Sequence, residues 1–415
     1  MNTKVCGRTG TRLIFLCWLV YTVSYIGKLS YSANINRIGE AFDVSYAQAG
    51  VVTTFFFFVY GAGQIVNGFL CKRYNVKYVI GISLLVSSLM NLLVGTAESF
   101  EIIKYLWLIN GASMSFLWTS LIRLLSETLD SKDIPRATVA MGTTVAIGTF
   151  AVYGISSLTA AFLSYEVVFI IAAALIAVTS VIWFASYGAL TKPQATAKVE
   201  LASSPSSDEG APSPLGIGAV LPLLSVVAVL AVSDNLIKDG LTSWTPDILS
   251  EFYNTPPWLS ILLTLLLPAL GILGSVVAVK LQGAVKSYVL SCTLLFGASS
   301  LLVALVIVFI STPYMIVTVA SFAIVSCLMA GVNNIITSMM PLDMSDKVAP
   351  GKLAGILNGF CYLGSTVSAY GLGLIADAFG WSAVFYALLA VAVLCTALGI
   401  AYLLVSKAKA GRAKA

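Results

Sequence analysis

Two lysines lie inside apolar stretches of this chain, where a positive charge has no ordinary place. Lys28 stands in YTVSYIGKLSYS, residues 21–32, and Lys238 in NLIKDGLTSW, residues 235–244. A helix advances 100° per residue, so Tyr21, Tyr25, Lys28 and Ser32 are expected on one polar stripe. Asp234, Asn235, Lys238, Thr242 and Thr245 form a comparable one. An ionised side chain facing lipid costs several kcal/mol, so both stripes are expected to line protein or water. Two ammonium groups brought together can balance a divalent phosphate or a carboxylate, with tyrosine and serine hydroxyls completing the hydrogen bonds. The plainer reading has each lysine snorkel to an interface or pair structurally. For Lys238, which lies toward the outer end of its helix, Asp234 is spaced for an i,i+4 ion pair; Lys28 has no acidic neighbour in its own helix. Asp234 has a second possible use. A membrane-embedded carboxylate beside a lysine can hold a proton in one state and an ion pair in another, which would couple solute movement to protons.

The elements that position these residues follow from composition. The chain has 415 residues, 59% hydrophobic and only 10% charged, with a mean hydropathy of +0.95. Soluble domains carry about 25% charged residues; here the apolar surplus calls for lipid as the solvent. Apolar runs of about 20 residues, each enough to cross the hydrocarbon, fall at 11–37, 45–70, 78–97, 102–125, 135–163, 166–189, 216–247, 256–281, 286–310, 313–340, 351–376 and 381–405. An all-α membrane protein of twelve transmembrane helices is therefore expected. Residues 192–214, KPQATAKVELASSPSSDEGAPSP, read as a flexible linker between one six-helix bundle, 1–191, and another, 215–415. Lys28 and Lys238 then occupy the first helix of each half, so a parallel repeat would set them facing each other across a central pathway.

With both termini in the cytoplasm, all of the 23 lysines and arginines except Lys28, Arg37, Lys104 and Lys238 fall on the cytoplasmic side. The positive-inside rule selects that orientation, and the net charge of +5 needs only anionic lipid, not nucleic acid, to explain it. No cleavable signal peptide is read at the N-terminus, since the first apolar run leads into polar residues at membrane depth. Seven cysteines are scattered singly and serve as small apolar residues. There is no histidine, and neither a metal site nor another cofactor is expected.

Residues 60–78, YGAGQIVNGFLCKRYNVKY, resemble the YGxxQxxxGxLxDRxxxR pattern of the major facilitator superfamily. The resemblance extends over nearly the whole chain, including NGASMSFLWTSLIRLLSE at 110–127, IKDGLTSWTPDIL at 237–249 and GILNGFCYLGSTVSAYGLGLIADAFGW at 355–381. It is nearest in kind to the organophosphate:phosphate antiporters, which include glycerol-3-phosphate and hexose-phosphate transporters. What it implies is the twelve-helix major facilitator fold, alternating access and a phosphate site built on two arginines of the first and seventh helices. By local motif, Lys28 and Lys238 stand at those arginines, Tyr21 and Tyr25 at the tyrosines preceding the first, and Trp244 at a matching tryptophan. Asn235 replaces a family tyrosine, Gln64 the family lysine of the second helix, and Cys71 the loop aspartate; the family histidine of the fifth helix is missing. Lysine offers a point charge where arginine offers a planar fork, so the charge still favours an anion while the grip on phosphate is loosened.

Gln64 and Trp118 are added to the candidate substrate contacts, because the second and fourth helices border the cavity in this superfamily. Asn333, Thr337, Asn358, Tyr362 and Ser365 are expected chiefly to bond between helices. The loops RYNVK, 73–77, and KLQGAVK, 280–286, are read as remnants of the superfamily's cytoplasmic gating loops.

An enzyme is not expected: the chain has no GxSxG, HExxH or GxxxxGK motif and no acidic metal cluster at membrane depth. The expectation is secondary active transport of a small organic anion, an organophosphate or a related phosphate or carboxylate, by exchange across the plasma or inner membrane. Inorganic phosphate is the candidate counter-substrate and the bilayer the surrounding partner, in a monomer that binds no nucleic acid. The alternatives are a proton-coupled symporter of a carboxylate or other solute, or a transporter-like substrate sensor.

Overall fold

A computed structural model describes residues 5–70, 73–130, 132–191, 217–340, 344 and 350–412. The expected linker 192–214 lies outside the described residues, as do Cys71 and Lys72 of the first gating loop. Among the described residues, fifteen α-helices run in chain order: α1 Gly7–Leu29, α2 Ile35–Phe42, α3 Tyr46–Leu70, α4 Val76–Val94, α5 Phe100–Met114, α6 Leu117–Thr128, α7 Ile134–Phe162, α8 Glu166–Thr191, α9 Ile217–Tyr253, α10 Pro257–Thr264, α11 Leu266–Val285, α12 Tyr288–Phe309, α13 Met315–Asn334, α14 Pro350–Phe379 and α15 Trp381–Arg412. The pairs α5/α6 and α10/α11 each make one crossing with a break in it, and α2 lies between crossings, leaving twelve. With every main-chain polar group bonded inside its own segment, helices are one of the two ways to span lipid.

Among the described residues, eleven segments are long and apolar enough to cross a membrane. The remaining crossing, α9, is not one of them; it carries Asp234, Lys238, Asp239 and Asp247. At about 1.5 Å per residue its 37 residues exceed the hydrocarbon thickness, so α9 carries its charge along a helix that still spans.

Several boundaries depart from the apolar runs, each for a local reason. The first crossing ends at Leu29 rather than continuing to 37; a 3-10 turn, Ser32–Asn34, and the short amphipathic α2 follow. The amide groups of Asn91 and Asn110 donate to the Gly27 carbonyl at 3.3 and 3.0 Å, and so satisfy an acceptor that the ended helix leaves free. The eighth crossing breaks at Leu265, where Pro268 has no N–H to return to Thr264. Beyond α13 the chain winds into a π turn, Ile335–Met339.

Chain parity puts the start of α1 and the end of α15 on one face of the bundle, called here the terminal face. The halves meet along α3 of the first and α14 of the second, from Tyr46 and Asp377 at the other, far face to Gln64 and Asn358 nearer the terminal face. Further contacts of α7 join them toward the far face. Asp377 on α14 accepts the backbone N–H groups of Tyr46 and Ala47 at 2.8 and 2.6 Å, capping α3 from across the interface with a charge that suits a helix N-terminus. Two turns deeper, the Thr54 hydroxyl donates to the Thr366 carbonyl at 3.0 Å and accepts from the Tyr370 N–H at 3.1 Å. It thereby inserts into the α14 ladder, a recognised cause of helix bending. On the other side of the bundle, Tyr153 of α7 donates to the Thr242 carbonyl and Ser157 to the Trp258 carbonyl, at 3.2 and 2.7 Å.

Candidate functional site

Lys28 sits in the last turn of α1, where the carbonyl end of the helix favours a cation. It is 6% exposed. Its Nζ lies 4.1 Å from the ring centre of Tyr60, 5.0 Å from Tyr25, 5.1 Å from Tyr362 and 5.8 Å from Phe57. It also donates to the Tyr362 hydroxyl at 3.4 Å. No carboxylate among the described residues lies within ion-pairing distance of it. The ammonium is therefore held by ring faces, contributed by α1 and α3 of the first half and α14 of the second. Each such contact is worth about 0.5–2 kcal/mol once water is excluded.

Tyr21 and Tyr25 stack edge to face at 5.4 Å, and Trp118 of α6 leans on Tyr21 at 4.7 Å. Both tyrosines are thus where the stripe put them, with Trp118 one layer behind as a packing residue. Gln64 accepts from Asn358 at 3.1 Å, a bond that joins α3 to α14 across the halves.

The second lysine is arranged differently. Lys238 Nζ donates to Asn235 Oδ1 at 2.9 Å and pairs with Asp239 Oδ1 at 3.7 Å, the two ionic side chains keeping 23% and 22% of their surface open. Ser365 of α14 donates to the other oxygen of Asp239 and receives the Asn235 amide at 3.0 Å. Asn333 of α13 bonds both Asp234 Oδ2 and Asn235 Oδ1, at 3.0 and 3.1 Å.

Three expectations need correcting. Asp234 is not the ion-pair partner of Lys238 within 4 Å; the Asn333 amide holds its carboxylate, and Asp239 takes the lysine. Ser32 is off the α1 stripe, because the helix ends at Leu29 and the serine falls in the following 3-10 turn. Lys238 stands near the middle of the 37-residue α9 rather than toward its outer end. The hydroxyl of Thr242 is returned to the Lys238 carbonyl at 2.9 Å, so it stabilises its own helix. Tyr60, Phe57 and Asp239 are the residues that sequence reading missed, and Tyr362 it had left to interhelical bonding. Tyr60 opens the superfamily-like YGAGQ stretch and Asp239 directly follows Lys238, signals that were present but weak.

Taken together, Lys28 is held by rings of both halves with no carboxylate partner among the described residues, while Lys238 shares its charge with Asp239.

Comparison with known proteins bears on the fold and the family. Among curated relatives, the membrane sensor protein UhpC of Escherichia coli is 28% identical over 99 residues, 24% of this chain and 23% of that protein. A probable hexose phosphate transport protein of Chlamydia pneumoniae is 23% identical over 116 residues, 28% of this chain and 26% of that protein. The matched part thus spans about a quarter of the length of these relatives. Among solved structures, a bacterial homologue of the human lysosomal transporter Spinster, inward-facing and occupied, superimposes with a TM-score of 0.76 at 13% identity, covering 95% of this chain and 97% of that one. The nucleoside transporter NupG gives 0.67 at 14% identity, covering 95% and 99%. A family model for the Major Facilitator Superfamily matches residues 17–369, and with the twelve crossings and the fold-level likeness it establishes that this chain belongs to the major facilitator superfamily.

Proposed function

We propose that this transporter carries a small organic anion, an organophosphate or a related phosphate or carboxylate, by alternating access, with inorganic phosphate as counter-substrate. The observation that carries the reading is the buried Lys28 ammonium with no carboxylate partner among the described residues. Burying an unpaired charge is costly, and a site that exists to meet an anion gives a reason to retain it. Support comes from the relatives whose names include hexose phosphate transport. Lys28 would contact the anion first, with Tyr25, Tyr60 and the Tyr362 hydroxyl around it; Lys238 would follow by releasing Asp239. Tyr21, Asn235, Gln64 and Trp118 shape the surround, while Ser32 and Thr242 lie outside the inner shell. The additional contacts of α7 toward the far face favour entry of the anion from the terminal face, and rocking of the halves would reopen the site opposite. In the proposed setting the protein is a monomer in the plasma or inner membrane with both termini cytoplasmic.

The test is uptake of radiolabelled phosphate into proteoliposomes preloaded with phosphate, glycerol-3-phosphate, a hexose phosphate or a small carboxylate. Uptake that depends on an internal phosphorylated compound is expected, and Lys238→Ala should lower it by at least about tenfold, the equivalent of 1.4 kcal/mol in binding. Uptake indifferent to every internal anion would remove the exchange reading. Binding of a hexose phosphate without uptake would instead place the chain with sensors, the function named for the UhpC relatives.

A second reading, proton-coupled symport, is favoured by Asp234. Its Oδ1 is buried with no hydrogen-bond partner, while Oδ2 is held by Asn333. If that carboxyl exchanges a proton during the cycle, Asp234→Asn should flatten the pH profile of uptake. A profile identical to that of the unaltered protein would take Asp234 out of coupling.

A further inference from the structure

Asp247, on α9 two turns beyond Lys238 toward the far face, is 1% exposed. Both of its carboxylate oxygens are buried and neither has a hydrogen-bond partner. No lysine or arginine among the described residues comes within 4 Å of it. Buried carboxylates are ordinarily paired or multiply hydrogen-bonded, so a bare one requires an explanation.

Its surroundings supply one. From the first half, Asn36 and Glu40 of α2, Tyr31 of the turn after α1 and Tyr46 at the start of α3 lie near enough to act on its charge, the Asn36 side chain approaching as a donor without completing a hydrogen bond. Glu251 faces it from its own helix. Tyr31 spends its hydroxyl on the Ala49 carbonyl at 2.9 Å, and Tyr46 directs its own toward Glu251 at 3.4 Å. Arg37, the nearest cation on α2, donates instead to Asn34 Oδ1 at 3.0 Å and to the Leu163 carbonyl at 2.6 Å. The Trp244 indole N–H, one turn earlier on α9, is likewise unpartnered and does not reach the carboxylate. Asn36 Oδ1 is also buried and without a donor. The neighbourhood thus holds an excess of acceptors that a single proton would relieve.

A bound metal ion is a poor alternative. The adjoining cavity, lined by Asn34, Asn36, Arg37, Pro246, Ser250 and Ser260 among others, has about 10 Å³ of free space. That is the lower limit for one water, and a guanidinium is part of its wall. A water molecule can donate hydrogen bonds but leaves the carboxylate charge in place.

We propose that Asp247 is a proton-binding latch of the far-face closure, taking up a proton when the halves meet and giving it up when they part. The carboxyl belongs to the second half and its cover to the first, so closure is what removes it from water. Ring contacts complete the cover: Tyr46 lies edge-on to Trp244 at 5.8 Å and to Trp381 at 5.1 Å. The neutral carboxyl loses the charge that burial penalises, in a neighbourhood that also holds the Glu40 and Glu251 carboxylates, and parting returns the group to water, where the carboxylate is stable. Proton binding and closure are then linked, and acid favours the closed far face. This holds whatever solute the central site carries.

The test uses the full chain in nanodiscs, with spin labels on non-canonical residues at Ser164 and Ser311, both exposed in far-face loops. Pulsed spin–spin distances are collected from pH 5 to 9. The ratio of closed to open distances is expected to rise with acidity, by up to tenfold per pH unit, the limit for one linked proton. Asp247→Asn, neutral at every pH, should abolish that slope and hold the far face closed, whereas Asp234→Asn and Asp239→Asn should keep it. If Asp247→Asn does not fold, Asp247→Ser serves, with the slope again lost. A wild-type ratio independent of pH, or a slope that survives loss of the carboxyl, overturns the proposal.

Discussion

Replacing Lys28 with methionine should abolish anion transport while leaving the folded protein as stable as before, or more so. The two halves of that expectation have separate causes. An ammonium in a buried site without a carboxylate carries a desolvation cost of several kcal/mol. The faces of Tyr60, Tyr25, Tyr362 and Phe57 return part of it, and the C-terminal end of α1 returns up to about 2 kcal/mol more. Methionine keeps the volume and the contact with the rings and removes the charge, so the balance moves toward stability. Transport loses a charge-assisted contact worth about 1.5–3 kcal/mol, or roughly 10- to 150-fold in affinity, and the drive to bring an anion to mid-depth goes with it. Thermal unfolding in detergent and proteoliposome uptake, measured on one preparation, check both halves. A marked loss of stability would make Lys28 a structural residue and the cage its socket. Normal transport would place the anion elsewhere.

What the sequence made legible, and what it hid, divides along the same physics. A lysine within an apolar run stands out because its burial needs a reason, so Lys28 and Lys238 could be found without coordinates. The crossings were legible too, since length and apolarity are all that lipid asks of a helix. The cage was not. Phe57 and Tyr60 are aromatic residues in an apolar helix, and nothing in their spacing says that their faces turn to a cation on another helix. Tyr362 comes from a helix more than three hundred positions away. Helical periodicity also misled where it was carried too far. It extended the α1 stripe to Ser32, although no proline or glycine in LSYSAN marks the end that Asn91 and Asn110 help to fix. It likewise favoured Asp234 over Asp239 as the partner of Lys238, because adjacent residues do not normally share a helix face. A flexible lysine stem reaches sideways, and the Asn333 amide had claimed the aspartate one turn back.

Gly50→Ala should move the molecule toward a state open at the far face without loosening either half. Gly50 lies where α3 touches α14 across the interface, and a methyl there would overlap the Ala369 carbonyl and crowd Tyr370. Backbone cannot yield as a side chain can, so the helices must part or shift, at about 1–3 kcal/mol. In a two-state equilibrium that is a change of roughly 5- to 150-fold in the closed population. Because α3 and α14 belong to different halves, the cost falls on the closed state alone; each six-helix half keeps its own packing. Gly364→Ala provides the contrast. Its methyl would overlap the Val232 carbonyl of α9, and both helices lie in the second half, so that variant should lose thermal stability in every state. Distances between the far-face labels separate the two outcomes, since Gly50→Ala should lengthen them at nearly unchanged melting temperature while Gly364→Ala should lower the melting temperature. If Gly50→Ala instead destabilises the fold as Gly364→Ala does, the α3–α14 contact is a permanent seam rather than a closure, and access to the central site must alternate by some other pair of helices.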